Sequence, residues 1–203
     1  ILFGINFNVY FLLLIRRRPK EALKSEEMRW YLIIIAAAIG LITLNVRGLF
    51  SSWWEAFHHT AFQVASIITT TGFSTSDFNL WPGFSRTILV LLMFVGACAG
   101  STGGGIKVSR IVVAVKAVAK ELARFIHPRN VRMLKLEGKK VEHETLRTIN
   151  IFLTAYFLLF ALSTLLISLD NFDLITSFTS VAATLNNIGP GLEIVGPMSN
   201  FSA

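Results

Sequence analysis

Two short polar turns constrain this chain more than any other feature. Each of them, residues 69–73 (TTTGF, the first polar turn) and residues 186–190 (NNIGP, the second polar turn), follows a half-length helical segment that itself follows an apolar run of membrane length. Inside a bilayer, the backbone N–H and C=O groups of such a turn have no water to bind, so the turn is stable only where it lines a water-filled path. The pattern therefore predicts pore loops.

The two turns belong to an internal repeat. When Gly72 is aligned with Gly189, other positions also correspond: Thr60 with Ser177, Val64 with Val181, Ala65 with Ala182 and Thr71 with Ile188. A helix end capped by glycine would explain either turn taken alone. Because the matched context occurs twice, the repeat favours two copies of one unit that consists of a spanning helix, a re-entrant half-helix and a narrow turn.

Composition and charge predict the orientation in a membrane. The chain is 53% hydrophobic, and all but two of its 19 Lys and Arg residues lie in residues 16–29 and 107–147. The positive-inside rule places both basic blocks on the cytoplasmic side, so an even number of crossings separates them. Residues 30–46 and 84–100 are the predicted spans, whereas residues 53–80 enter and leave from the outer side. The net charge of +7 is then an orientation signal and does not indicate a nucleic-acid partner.

These boundaries predict an all-α membrane protein of repeated helix–pore loop–helix units, present here as part of a longer chain. Residues 1–29 are expected to form the inner end of a preceding transmembrane helix and a cytoplasmic loop. Residues 30–123 form a complete repeat with a broken second helix, residues 124–147 a basic cytoplasmic connector, and residues 148–203 the first helix and pore loop of the next repeat.

The polar turns have the chemistry of a cation filter. Backbone carbonyls can replace the hydration shell of a cation without a fixed charge, and glycine permits the dihedral angles that such a turn requires. The candidate ion-binding residues are Thr70, Thr71 and Gly72 in the first polar turn, and Asn187, Ile188 and Gly189 in the second. Thr69, Phe73 and Asn186 flank them.

A run of five glycines in residues 96–105 interrupts the second predicted span. Each glycine inside a helix costs roughly 1 kcal/mol relative to alanine, so the helix is predicted to unwind there. An unwound loop below a filter is a candidate gate; its residues are Gly96, Gly100, Ser101, Thr102, Gly103, Gly104, Gly105 and Lys107. Close helix packing through small residues is the alternative. A phosphate-binding loop is excluded because Ile106 stands where that motif has lysine.

Four segments together resemble the membrane subunits of Trk/Ktr-type potassium transporters, in particular the TrkH-like ones. The segments are residues 67–75 (IITTTGFST), 100–107 (GSTGGGIK), 127–128 (HP) and 183–191 (ATLNNIGPG). The resemblance covers nearly the whole chain. It implies a channel-like fold of four helix–pore loop–helix repeats around one pseudo-fourfold path, of which this chain, a fragment of the C-terminal half, holds the end of the second repeat, the third, and part of the fourth.

The resemblance also implies a function. It indicates potassium uptake across the bacterial inner membrane, with K⁺ as the transported ion at the six candidate residues, no covalently bound cofactor, a homodimer in the lipid bilayer, and a cytosolic nucleotide-binding regulatory subunit of the TrkA or KtrA kind. A sodium-coupled symporter of the related Ktr/HKT type is the alternative. An enzyme is not expected, because residues 30–46, 87–106 and 148–169 contain no Asp, Glu, His, Lys or Arg that could act at membrane depth.

Overall fold

The computed structural model describes residues 1–17, 25–126 and 133–198. Residues 127–128, quoted above for the resemblance, lie outside the described residues, as does part of the predicted connector. The principal helices are α1 (Glu26–Val46), α2 (Trp53–Ile68), α3 (Gly83–Val95), α4 (Val108–Ile126), α5 (His143–Ser168) and α6 (Leu174–Leu185). A two-stranded antiparallel hairpin, β1 (Lys135–Leu136) and β2 (Lys139–Lys140), separates α4 from α5. Short helical turns cover Leu2–Gly4, Phe7–Tyr10, Phe11–Ile15, Arg47–Leu49, Phe78–Leu80 and Glu193–Val195.

Among the described residues, two helices are long and apolar enough to cross a membrane: residues 26–49, where a 3₁₀ turn extends α1, and α5. Helix α1 begins four positions before the predicted span because Ser25 caps it: the Ser25 Oγ accepts a hydrogen bond from the Met28 amide at 3.4 Å. Glu26 and Glu27 occupy the first turn, where the helix dipole favours negative charge. Large apolar side chains on both helices are exposed, as expected for surfaces that face lipid or other parts of a longer protein.

Helices α2 and α6 are the two half-length helices of the repeat. They contain 16 and 12 residues, which correspond to roughly 24 and 18 Å against a hydrocarbon core of roughly 30 Å. Ser52 caps the first of them through the Glu55 amide at 3.1 Å, and Asp173 caps the second through the Thr176 amide at 3.0 Å. Each half-helix ends directly at a polar turn, as the sequence predicts.

Helix α2 packs against α1 and α3, and α6 packs against α3 and α5. Side chains from the first three helices form the core, where Tyr31, Ile42, Val64, Ile68 and Leu89 are fully buried. This packing brings the C-terminal ends of α2 and α6 together, and with them the two polar turns, in which Thr71, Asn187 and Gly189 are exposed.

The predicted break in the second span is present. Helix α3 ends at Val95, and residues 96–107, which we call the glycine-rich loop, are not helical. The Ile106 and Lys107 amides donate to the carbonyls of Phe94 and Val95, both at 3.1 Å. These two carbonyls lie at the end of α3, where a helix leaves carbonyls without partners. The bonds show that the chain leaves α3, forms the loop and returns to the end of α3 before α4 begins.

Candidate ion pathway

The first polar turn ends α2 in a Schellman motif. Thr70 adopts a left-handed conformation with φ 55°. Its amide donates to the Ile67 carbonyl at 3.1 Å, and the Thr71 amide donates to the Ser66 carbonyl at 2.8 Å. These two bonds satisfy carbonyls at the end of the helix. A β-branched residue is rare in this conformation, so the position carries backbone strain.

The second polar turn repeats the motif position by position. Asn187 also has φ 55°, its amide donates to the Thr184 carbonyl at 3.0 Å, and the Ile188 amide donates to the Ala183 carbonyl at 2.8 Å. Thr70 and Asn187 are equivalent when Gly72 is aligned with Gly189. The internal repeat seen in the sequence is therefore a repeat of backbone geometry.

The glycines are not the helix caps in either turn. Gly72 and Gly189 lie two positions beyond the capping residues and have φ 82° and 116°. Each turn therefore contains a second residue with positive φ after the residue that caps the helix. A side chain on Gly72 would collide with the Ile188 carbonyl, whereas one on Gly189 would meet open space. The two turns thus lie side by side, and Gly72 permits their close approach.

Side chains of α2 hold the chain that follows the first polar turn. Gln63 donates to the Ser74 hydroxyl at 2.5 Å and to the Ser76 carbonyl at 2.9 Å, and Ser66 donates to the Phe73 carbonyl at 2.5 Å. Gln63 is fully buried. Neither polar side chain was singled out from the sequence, although a glutamine on the apolar face of a half-helix is the signal that could have indicated it.

The second polar turn is held by different residues. The Tyr156 hydroxyl of α5 donates to the Asn186 side-chain oxygen at 2.9 Å, and the Asn186 side-chain amide donates to the Ala182 carbonyl at 2.8 Å. Asn186, predicted to flank the filter, is 1% exposed, so its side chain supports the turn from within the protein. Ile188 is also buried, whereas Phe73 is exposed.

The glycine-rich loop contacts both turns. The Gly104 amide donates to the Thr70 hydroxyl at 2.9 Å, and Gly104 lies so close to the Asn186 carbonyl that a side chain at this position would collide with it. Gly103 lies near the Thr69 carbonyl. The loop therefore lies directly against the candidate filter residues. The sequence predicted only that the loop lies below the filter, and not which residues it contacts.

Contacts within the loop fix its shape. Lys107 donates to the Gly103 carbonyl, and the Ser101 hydroxyl donates to the Cys98 carbonyl at 2.6 Å. Gly96 and Gly105 approach so closely that a side chain on either would strike the backbone of the other segment. The N-terminal residues also contact the loop: the Gly100 carbonyl accepts from the Phe7 amide at 3.2 Å, and the Thr102 hydroxyl donates to the Phe3 carbonyl at 3.5 Å.

Beyond the turns, the two units are joined at the side predicted to face outward. The Asn79 side-chain amide donates to the Glu193 carbonyl at 3.1 Å and its oxygen accepts from the Glu193 amide at 3.0 Å. Arg86 forms an ion pair with Glu193 at 3.0 Å. Hydrogen bonding by Thr176, through its side chain and its amide, lowers the pKa of Asp173, which favours the charged form of this carboxylate at the start of α6.

The chemistry of the turns suits a cation bound by oxygen atoms. In the part of the chain that the structure describes, no three His, Cys, Asp or Glu side chains cluster as metal ligands would. The turns instead offer backbone carbonyls and threonine hydroxyls, and α2 and α6 direct the negative ends of their dipoles toward them.

Comparison with known proteins places this architecture in one family. The TrkH family, described as cation transport protein, matches residues 1–202. The Trk system potassium uptake protein TrkH of Escherichia coli K12 is 37% identical over 202 residues, which cover 98% of this chain and 41% of the relative. The Trk system potassium uptake protein TrkG of the same organism is 31% identical over 193 residues, which cover 94% of this chain and 40% of that relative.

A solved structure agrees with the sequence comparisons. The crystal structure of the potassium transporter TrkH from Vibrio parahaemolyticus superimposes with a TM-score of 0.90 at 33% identity, and the match covers all of this chain and 44% of that one. The chain thus spans about two fifths of the length of the curated relatives it matches, 41% in the case of the Escherichia coli K12 TrkH. By these matches the chain belongs to the TrkH family of cation transport proteins, which are multi-pass transporters of the bacterial inner membrane and not enzymes.

Proposed function

We propose that this chain supplies two segments of the selectivity filter of a potassium uptake protein. The observation that carries the proposal is the repeated geometry of the two polar turns, in which Thr70 and Asn187 cap the half-helices and Gly72 and Gly189 extend the positive φ conformation. Relatives called potassium uptake proteins are 37% and 31% identical to the chain over 202 and 193 residues. Both observations support potassium as the ion.

In this proposal, the carbonyls of six residues bind K⁺ in place of water. The residues are Thr70, Thr71, Gly72, Asn187, Ile188 and Gly189. A ring of carbonyls supplies partial negative charge without a carboxylate, which would hold the ion too strongly for conduction. Thr69, Phe73 and Asn186 would keep the turns in shape, and the hydrogen bond from Tyr156 to Asn186 supports that role for the last of them.

We propose further that the glycine-rich loop is the gate. It lies against both polar turns, and its bond from Gly104 to Thr70 would have to break for an ion to leave the filter on that side. Its closely packed glycines, Gly96, Gly103, Gly104 and Gly105, are what allow the loop to fit there. Movement of the loop away from the turns would open the path.

The complete assembly in this proposal extends beyond the present chain. Four repeats would surround the path, two copies of the protein would form a dimer in the inner membrane, and a cytosolic nucleotide-binding subunit of the TrkA or KtrA kind would regulate the gate. Support for these partners comes from the family resemblance. The basic cytoplasmic side of the chain, where Arg110, Lys116 and Lys120 lie on α4, is the surface that such a subunit would approach.

Substitution of Gly72 tests the filter. Gly72→Ser in the full-length protein should lower K⁺ uptake roughly tenfold or more, or relax selectivity against Na⁺, because the new side chain collides with the Ile188 carbonyl and the left-handed conformation is strained by about 1–3 kcal/mol. Gly189→Ser should be less damaging, since it meets strain without collision. The measurement is Rb⁺ and K⁺ uptake in cells that lack other potassium uptake systems.

Gly48→Ser is the matched control, because Gly48 has open space around it and lies outside the turns. Wild-type flux and selectivity in a normally expressed Gly72→Ser protein would contradict the filter assignment. Uptake that requires Na⁺ on the same side would favour a sodium-coupled symporter.

A further inference from the structure

Glu27 is a buried carboxylate that the proposed transport path does not use. It lies in the first turn of α1, at the predicted cytoplasmic end of the helix, and is 5% exposed. Its Oε1 accepts hydrogen bonds from the Ala99 amide at 2.6 Å and from the Ser109 amide at 3.1 Å. One oxygen atom of α1 therefore joins the glycine-rich loop to the first turn of α4.

These bonds are strong ones. A buried carboxylate is costly unless hydrogen bonds compensate it, and bonds to a charged acceptor are roughly twice as strong as neutral ones. Among the described residues, no basic side chain forms an ion pair with Glu27. Two amides bind the carboxylate directly, Lys107 lies close enough to interact with it electrostatically, and the position at the N-terminal end of α4 is one where a helix dipole favours negative charge.

The position of the two donors shows what the carboxylate holds. Ala99 precedes, and Ser109 follows, the part of the loop that contains Gly104, and Gly104 is bonded to Thr70 in the first polar turn. The loop is thus fixed at the filter side by Thr70 and at the opposite side by Glu27. A displacement that carries Ala99 away from α1 breaks its bond to Glu27.

We propose that Glu27 is a positioning residue that holds the glycine-rich loop in its closed place beneath the polar turns. The inference rests on the proposed role of that loop as a gate. It assigns to the start of α1 a part in gating that is separate from ion binding, since Glu27 contacts neither polar turn.

The chain contains a natural reporter for this proposal. Cys98 is the single cysteine of residues 1–203, adjoins Ala99 and is fully buried. In full-length protein whose only cysteine is Cys98, N-ethylmaleimide should label the closed loop slowly. Glu27→Ala should raise the labelling rate roughly tenfold or more, because each lost bond to a charged group shifts an equilibrium by about that factor. The K⁺ leak through the same protein in liposomes should rise with it.

Two further variants control the experiment. Glu27→Gln loses the same charge as Glu27→Ala but keeps an acceptor oxygen, so it separates the hydrogen bonds from the direct effect of the charge on the neighbouring Cys98 thiol. Its labelling rate should lie between those of wild type and Glu27→Ala, and its K⁺ leak decides the question if the alanine variant does not fold. Glu26→Ala removes the neighbouring carboxylate, which contacts Lys116 and the Glu137 amide and not the loop, and should leave Cys98 labelling unchanged.

The outcomes separate this inference from the proposed function. Equal labelling of Cys98 in Glu27→Gln and Glu27→Ala, which both lack the charge that acts on the neighbouring thiol, would overturn the role of Glu27. Faster labelling in Glu27→Ala than in Glu27→Gln without any change in K⁺ flux would uphold Glu27 as the residue that positions the loop, and would show that the loop is not the gate.

Discussion

Thr70 combines two features that seldom occur in one residue. It is β-branched, yet it takes the left-handed conformation that caps α2, and its hydroxyl accepts the amide of Gly104 from the loop. The equivalent residue, Asn187, is of a type that tolerates this conformation more easily. Thr70 thus adopts a conformation that its side chain disfavours, and the hydrogen bond to the loop offsets part of that cost.

Thr70→Val should loosen the loop without changing the volume of the side chain. The Gly104 amide, which is partly buried, would lose its acceptor. An unpaired N–H that is fully buried costs about 1–3 kcal/mol, and with the lower part of that range we expect K⁺ flux in the resting state to rise roughly fivefold. Flux from proteoliposomes measures the effect. Thr164→Val is the matched control, because the Thr164 hydroxyl bonds only to Phe160 within α5. A Thr70→Val protein whose resting K⁺ flux is no higher than that of this control would contradict the role of the contact.

Helices α3 and α4 are predictable as elements, but the contacts of the loop between them are not. Five glycines indicated the break, since their cost in a helix is intrinsic to the residue. The anchors of the loop at Thr70 and Glu27 depend on residues that lie 34 and 72 positions away from their partners. No local pattern encodes such contacts, so the loop could be predicted and its attachment could not.

Deletion of residues 101–104 tests the loop as an element. The deletion removes the contact of Gly104 with Thr70 but leaves the bonds from Ile106 and Lys107 to the end of α3, so α3 and α4 should remain joined. We expect a severalfold rise in K⁺ flux and a weaker response to the regulatory subunit. Wild-type flux together with wild-type regulation, in a variant that reaches the membrane, would mean that the loop only fills space.

At the scale of the whole molecule, helix length predicts the two half-helices that are observed. Helices α2 and α6 are too short to cross, and each ends at a polar turn. The side chains that support the second polar turn could not be predicted in this way. Tyr156 reaches Asn186 only because α5 packs against α6, and an apolar spanning helix gives no sign of which of its residues faces a turn.

The predicted topology can be tested with two introduced cysteines. In a Cys98→Ala background, Asp77→Cys, in the segment after the first polar turn, and Lys139→Cys, on β2, should react with a membrane-impermeant maleimide from opposite sides of the membrane. Asp77 is expected outside and Lys139 in the cytoplasm, since the basic blocks orient the chain. Reaction of both from one side would refute re-entry of residues 53–80.

The unequal support of the two polar turns has a consequence for how the chain folds. The bonds that secure the first turn join residues 7 to 13 positions apart, within α2 and the segment that follows it. The bond from Tyr156 to Asn186 spans 30 positions and two helices. Because closing a longer loop costs more entropy, the first turn can take its shape as soon as residues 53–76 are in the membrane. The second must wait for α5 and α6 to associate, so the later half of the path is the one whose assembly depends on helix docking.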